Sequence, residues 1–360
     1  MNILVVGSGA NYSTLDVERG CMWALKELRH EIIYYDLFKR IAFYMDAYKD
    51  VKVEFDNAPE GAEEFWKFRM IKSEASQGAI YNAVKYWPID LILVISGTYF
   101  SPEVAYVMNK LECSNALFST EEPYDYELIK GLVRVYQNIF LNDDIHLEEY
   151  RSYNPNIWEL WTACNPSIHK KMEVEDEYKS DIFFCGVMFR ERLEFFEKLI
   201  ECLDGDLDIK IRGTNIHQEL SPNSPIRKYC VDGIIPNREV AKYYNGAKII
   251  LAPHRQSKQL NLDERIEEAH SPAPRVFEAG ACGGFQMVDN SRGEVMRRLF
   301  PKIPLFNMDD IPETAAMIEY YLNHPKERKE IAGNIQEKVL KDHTYLNRMR
   351  FLLSKIGGEN

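Results

Sequence analysis

The sequence predicts an α/β protein of two domains, each a series of βα units around a parallel sheet, with a cleft between them. Three observations carry this expectation. The chain has 360 residues, beyond the size at which one hydrophobic core usually keeps growing, so two domains of ordinary size are expected. Short apolar runs alternate with amphipathic stretches, the pattern of βα units around a buried parallel sheet. That alternation is repeated on either side of residues 163–180, a polar stretch with one proline and mixed charge that reads as the interdomain linker.

The first series opens with NILVV, followed by Gly7, Ser8 and Gly9, an amphipathic run from about Thr14 to Leu28, and EIIYY, which together form a βαβ unit. Between Tyr48 and Tyr86 lies a polar and aromatic stretch of mostly helical character, long for a simple crossover. Further strands are expected at DLILVIS (90–96), NALFST (115–120), NIFLN (138–142) and IWELWT (157–162). The second series runs through DIFFCG (181–186), a helix in RLEFFEKLIECL, LDIKIRG (207–213), a helix near PNREVAKYYNGA and KIILAP (248–253). A helix in SPAPRVFEAGACGG then leads to FQMVD (285–289) and PLF (304–306). The chain ends in helices, PETAAMIEYYLNH and then one longer charged helix finishing in HTYLNRMRFLLSKI. Domain boundaries of 1–165 and 166–341 follow.

The formal net charge of −12 argues against a surface devoted to nucleic-acid phosphates or anionic lipid, so small anions must be caught by a local pocket. The seven cysteines, at 21, 113, 164, 185, 202, 230 and 282, are odd in number and contain no Cys-x-x-Cys pair. That pattern fits reduced thiols in the cytoplasm. The start MNILVVGSGANY enters an apolar strand with no charged leader or cleavage site, so no signal peptide is expected. No run reaches the roughly 18 apolar residues of a membrane span, so no insertion is expected.

The segment SPAPRVFEAGACGGFQMVD (271–289) concentrates the chemistry. Ser271 is expected to cap a helix, and Pro274 suits its first turn, where a missing amide hydrogen is not needed. Helical spacing puts Ala273, Val276, Phe277, Gly280 and Ala281 on one face, and Arg275, Glu278 and Cys282 on another. Gly280, Gly283 and Gly284 allow close approach of another backbone or a flat ligand. The free amides at the helix start suit a diphosphate, and Glu278, one to two turns in, can accept two ribose hydroxyls. Spacing alone favours the plainer reading that Arg275 and Glu278 pair on a solvated face.

The same segment resembles the donor-site signature of GT-B glycosyltransferases, in particular the spore-maturation-type (CgeB-like) family. STEEPYDYE (119–127), NIFLND (138–143), SDIFFCGVMFRER (180–192), GAKIILAPHR with LNLDER (246–265), and HTYLNR (343–348) resemble that family in order along nearly the whole chain. The resemblance implies a GT-B fold of two Rossmann-like domains, with the nucleotide-sugar held mainly by the second domain and the acceptor by the first, and a final helix, about 342–360, that packs back on the first. In the wider fold many members carry Glu, seven residues, then Glu. Here Glu278 matches the second position, the ribose ligand by analogy, and His270 stands at the first, where the donor sugar is contacted. Candidates to offset the charge of a departing diphosphate are Arg190 and Arg192, after Gly186 in FFCG, with Arg255, Arg265 and Arg275. Arg192 matches the family pattern best. A surface ion pair explains any one of these arginines equally well. Asn261 and Arg265 can project from one helical turn into the cleft, or belong to a charged loop.

SGANYSTLDVERG, with Gly7 and Gly9, resembles the glycine loop that meets acceptor or sugar in this fold, although it lacks the third glycine of the dinucleotide fingerprint. An inverting reaction would need a base, for which Asp16 or Glu18 is the candidate; a retaining one would not. Glu121, Glu122 and Asp125 follow a strand end, where they suit either acceptor hydroxyls or the first turn of a helix. Asp204 and Gly205 in DGDLD imitate an Asp-x-Asp metal motif but read as a turn. His254, after a strand end, is a possible pocket residue.

The expected function is transfer of a sugar from a UDP-sugar to an acceptor (glycan, protein or small molecule, with DNA disfavoured by the acidic balance), without an obligatory metal or cofactor. The rival readings are a non-catalytic nucleotide or sugar binder of a surface or spore assembly, and a nucleotide-sugar epimerase.

Overall fold

The computed structural model describes residues 1–11, 13–51, 61–256 and 269–357. They form two compact units, Met1–Trp161 with Arg348–Asn360, and Thr162–Asn347.

In the first unit the order is β1 (Asn2–Val6), α1 (Ser13–Glu27), β2 (Glu31–Tyr35), α2 (Leu37–Ala47), α3 (Ala62–Lys85), β3 (Leu91–Ile95), α4 (Pro102–Met108), β4 (Ser114–Ser119), α5 (Tyr126–Val133), β5 (Asn138–Leu141), α6 (Leu147–Arg151) and β6 (Ile157–Glu159). These strands make one six-stranded sheet in the order β2-β1-β3-β4-β5-β6, and every pairing is parallel. The strands read as unbroken apolar runs because both faces are covered: all five residues of β3 are buried. Of the stretch between Tyr48 and Tyr86, residues 52–60 lie outside the described residues and the part from Ala62 is α3, which buries Ile71, Ala75, Ala79 and Ala83 in the unit's core.

The second unit continues with β7 (Ser180–Cys185), α7 (Arg190–Cys202), β8 (Ile209–Gly213), α8 (Ile216–Glu219), β9 (Cys230–Asp232), α9 (Asn237–Gly246), β10 (Ala247–Ala252), α10 (Pro274–Cys282), β11 (Gln286–Asp289), α11 (Gly293–Leu299), β12 (Leu305–Phe306), α12 (Ile311–Asn323) and α13 (Pro325–Asp342), after which α14 (Tyr345–Ile356) leads back to the first unit. Its parallel sheet has the order β12-β11-β10-β7-β8-β9. Strand β9 is an addition to the expected set. It is a three-residue edge strand with Val231 exposed, too short and too polar to stand out as an apolar run.

Two expectations about helices are corrected. The last charged helix is interrupted: the backbone N–H of Cys164 donates to His343 O at 3.1 Å and that of Tyr345 to Cys164 O at 3.0 Å, so a short parallel bridge diverts the backbone between α13 and α14. Ser271 does not cap α10. Ala273 is the N-cap residue, without a side-chain bond, and Pro274 stands at the first position as expected. From Arg348 the chain belongs to the first unit, where Arg348 Nε donates to Trp161 O at 2.9 Å and Phe351 meets Phe140 edge-on.

None of the seven cysteines forms a disulfide. Among the described residues no helix is long and apolar enough to cross a membrane.

Candidate functional site

In a doubly wound sheet the connections leave in opposite directions at one point, and the loops there open a crevice beyond the carboxyl ends of the strands. In the second unit that point lies between β7 and β10, since β8 and β9 are built out on one side of β7 and β10 to β12 on the other. The loops beyond those two strand ends carry Gly186, Arg192, His254 and Arg255, and α10 follows.

The loop after β7 is fixed by Gly186 N–H donating to Arg212 O at 3.0 Å and Met188 N–H to Thr214 O at 2.9 Å. Arg192, buried in the first turn of α7, donates from Nη1 to Val187 O at 2.8 Å and lies over the rings of Phe189 and Phe184. Arg275 enters from α10, with its guanidinium 4.8 Å from the Phe184 ring centre and Nη1 donating to Pro253 O at 3.3 Å. A β-carbon on Gly186 would sit 2.3 Å from Arg275 Nη2, so glycine there is what admits the guanidinium. Arg255 lies over the opposite aromatic, Phe189, at 4.7 Å. Arg292, buried in the turn after β11, donates to Ser271 O and, at 3.3 Å, to Arg255 O. An acidic chain thus gathers four arginines beside one crevice, and stacking on aromatics keeps the charges of Arg192, Arg255 and Arg275 in place.

His254 is wholly buried in this group, and neither ring nitrogen has a hydrogen-bond partner among the described residues. Burial pushes its pKa well down, reinforced by Arg292, Arg275 and Arg192. Asp289 closes the floor: it accepts from Ser291 N–H at 3.0 Å and Ser291 Oγ at 2.9 Å, and burial raises its pKa.

Glu278 lies one turn beyond Arg275, with its side chain 13% exposed. The Asn237 side chain donates to its Oε1 at 3.2 Å, and His169 Nε2 stands 3.9 Å from the same oxygen. Among the described residues Oε2 has no partner. The solvated Arg275–Glu278 pair is therefore not what forms, because each side chain turns to a different neighbour. Cys282 is buried with Val240 and Tyr244, so this side of α10 also packs, against α9.

Other expected residues are placed elsewhere. Arg190 is exposed and pairs with Glu194 at 3.2 Å, one helical turn on. His270 is exposed beside the buried Ser271. Asn261 and Arg265 lie outside the described residues. In the first unit Gly7 and Gly9 are buried under their own neighbours: Glu18 and Tyr34 fill the space over Gly7, and Tyr99 that over Gly9. Glu18, expected in the loop, lies within α1 and anchors the loop after β1. It is 2% exposed within α1, its Oε2 accepts from Ser8 N–H at 2.8 Å and its Oε1 from Tyr34 OH at 2.5 Å. Asp16 lies in the first turn of α1, 3.8 Å from Arg19. Asp125 caps α5 by accepting from Leu128 N–H at 3.3 Å. Glu122 is fully buried and bonded to His146 Nδ1 and, at 3.2 Å, to Tyr150 OH; burial raises its pKa. Asp204 and Gly205 form the turn before β8, with Gly205 at φ +87°.

His169, Asn237, Arg292 and His146 were missed by sequence reasoning. Asn237 alone left a trace, at the head of a helix after Pro236; the others stand in segments without periodicity.

This architecture defines a class first: two parallel, doubly wound units give the GT-B fold. Solved structures agree. Trehalose-6-phosphate synthase, OtsA, superposes with a TM-score of 0.66 at 11% identity, over 100% of both chains. The Anabaena protein HepE, solved with UDP-glucose, does so with a TM-score of 0.63 at 11% identity, over 98% of this chain and 99% of its own. The sequence then points to particular kin. Residues 190–354 match the Glycosyl transferase-like family. The chain is 25% identical over 227 residues to the spore protein CgeB of Bacillus subtilis (strain 168), covering 61% of this chain and 68% of CgeB. Fold and sequence therefore agree in what they resemble: the fold is GT-B, and the matched sequence is glycosyltransferase-like and similar to CgeB, as the motifs implied.

Proposed function

We propose that the protein moves a sugar from a nucleoside diphosphate sugar, a UDP-sugar, to an acceptor hydroxyl on a glycan, protein or small molecule. The observation that carries this reading is Glu278. One of its oxygens is held by Asn237 and the other is open among the described residues, which suits the paired O–H donors of a ribose. The arginines Arg192, Arg275 and Arg255 supply the positive charge that a departing diphosphate needs, together with the free amides at the start of α10, so the reading requires no divalent ion. HepE, solved with UDP-glucose, supports the donor class.

Calorimetric titration with UDP-glucose, UDP-galactose, UDP-N-acetylglucosamine, ADP-glucose and GDP-mannose tests the donor. A uridine preference is expected, unchanged in EDTA, with slow release of UDP seen by chromatography. Glu278→Ala is expected to weaken UDP binding about 10- to 100-fold, the size of lost hydrogen bonds to a charged group. Unaltered affinity in that variant removes Glu278 from the site, a preference for ADP or GDP donors overturns the uridine assignment, and loss of binding in EDTA overturns metal independence.

A further inference from the structure

His169 belongs to the segment leading into β7, and that segment is tightly fastened. Ile168 N–H and His169 N–H donate to Asn165 O at 3.0 and 2.8 Å, and Asn165 Oδ1 accepts from Ser167 N–H at 3.0 Å. The Asn245 side chain at the end of α9 bonds Lys170 O at 3.0 Å and Met172 N–H at 2.8 Å. Ile168 and Met172 pack on the core shared by α9 and α10. The imidazole is consequently set between those helices with 1% of the residue exposed.

The ring's protonation pattern follows from its neighbours. Asn165 N–H donates to Nδ1 at 3.0 Å, so Nδ1 is the acceptor and Nε2 carries the hydrogen. That Nε2–H has no hydrogen-bond partner among the described residues. It faces Glu278 Oε1 at 3.9 Å, beyond hydrogen-bond length but within a small side-chain shift of it. Buried donors are almost always satisfied in native proteins, so one left open and aimed at a carboxylate calls for a ligand-bound state that completes it.

We propose that His169 is a positioning residue of the nucleotide site. Its Nε2–H and the Asn237 amide together hold Glu278 Oε1, which presents Oε2 to the 2′- and 3′-hydroxyls of a bound ribose. This rests on the donor reading of Glu278 given above. Both N–H groups come from outside α10, so the acid is clamped by two segments that a nucleotide would draw against it. A carboxylate fixed in this way accepts from a hydroxyl without first losing rotamer freedom, which turns it into a selective reader of ribose over deoxyribose.

The test is the affinity of the full chain for UDP against 2′-deoxy-UDP, measured by calorimetry in the wild type, Glu278→Ala, His169→Phe and His169→Gln. The wild type is expected to favour UDP by about tenfold or more, and Glu278→Ala to abolish that preference. His169→Phe, which keeps an aromatic ring there without a donor, is expected to lose most of the preference. His169→Gln, whose amide can reach the place of Nε2, is expected to retain it. A wild-type preference that survives in His169→Phe but vanishes in Glu278→Ala overturns the role of His169 and leaves the donor reading standing. Equal affinities in the wild type, or no binding of UDP, overturn the donor reading and this inference with it. A crystal structure of the wild type with UDP gives a check that needs no variant: the Nε2 to Oε1 distance should fall to about 3 Å, and a distance that stays at 3.9 Å or lengthens overturns the proposal.

Discussion

His254 shows how a single residue sets the acid limit of the second unit. Below its ordinary value of 6.5 an unfolded histidine takes up a proton that the buried ring, surrounded by Arg192, Arg275 and Arg292, refuses. The unfolded state then binds more protons than the native one, so this group's contribution is intact above about pH 6.5 and stability falls as pH drops below it. Melting followed by calorimetry from pH 7.5 to 5.5 is expected to show that decline, and His254→Phe to flatten it by up to about 1.4 kcal/mol per pH unit. Matching slopes in the two proteins would locate the acid sensitivity in other groups. The sequence marked His254 through its place after a strand end and Glu278 through its place early in a helix. It could not show that Glu18 is turned inward, because the position of Tyr34 opposite it depends on the pairing of β1 with β2.

At the scale of elements, α10 is the hinge between chemistry and packing. Its apolar face, with Val276, Phe277, Gly280 and Ala281, is buried as helical spacing predicts, and Gly280 is the point of close approach. A β-carbon there would lie 3.0 Å from methyl groups of both Ile335 and Val339 on α13. Gly280→Leu is therefore expected to force α10 and α13 apart and to destabilise the protein by about 1–3 kcal/mol. Denaturant titration measures this, and a variant as stable as the wild type would mean that α13 yields freely. The expected cap at Ser271 failed for a reason of the same kind. Arg292 holds the Ser271 carbonyl, which commits that residue to a neighbouring turn and lets the helix begin at Pro274.

At the scale of the whole molecule, the chain leaves the first unit after Trp161 and returns to it at Arg348. The returning helix buries Met349, Leu352 and Leu353. Burial of each such side chain contributes about 1.5–3 kcal/mol. Ending the chain after Asn347 is accordingly expected to lower the melting temperature by several degrees or more, read by calorimetry. An unshifted transition would show that the helix contributes nothing to the fold. The division into strands and helices was legible in the sequence because a strand buried on both faces must be apolar throughout, as LILVI and IILA are. The short β9 and the break before α14 were not, since both depend on backbone partners distant in sequence. What the sequence determined by itself was the succession of βα units, the proline-started helix and the acid within it, all consequences of local pattern and covalent geometry. What only the tertiary structure decided was which polar groups meet. Glu278 finds Asn237, 41 residues away, and faces His169, because hydrogen bonds are short and directional and their partners are chosen by packing.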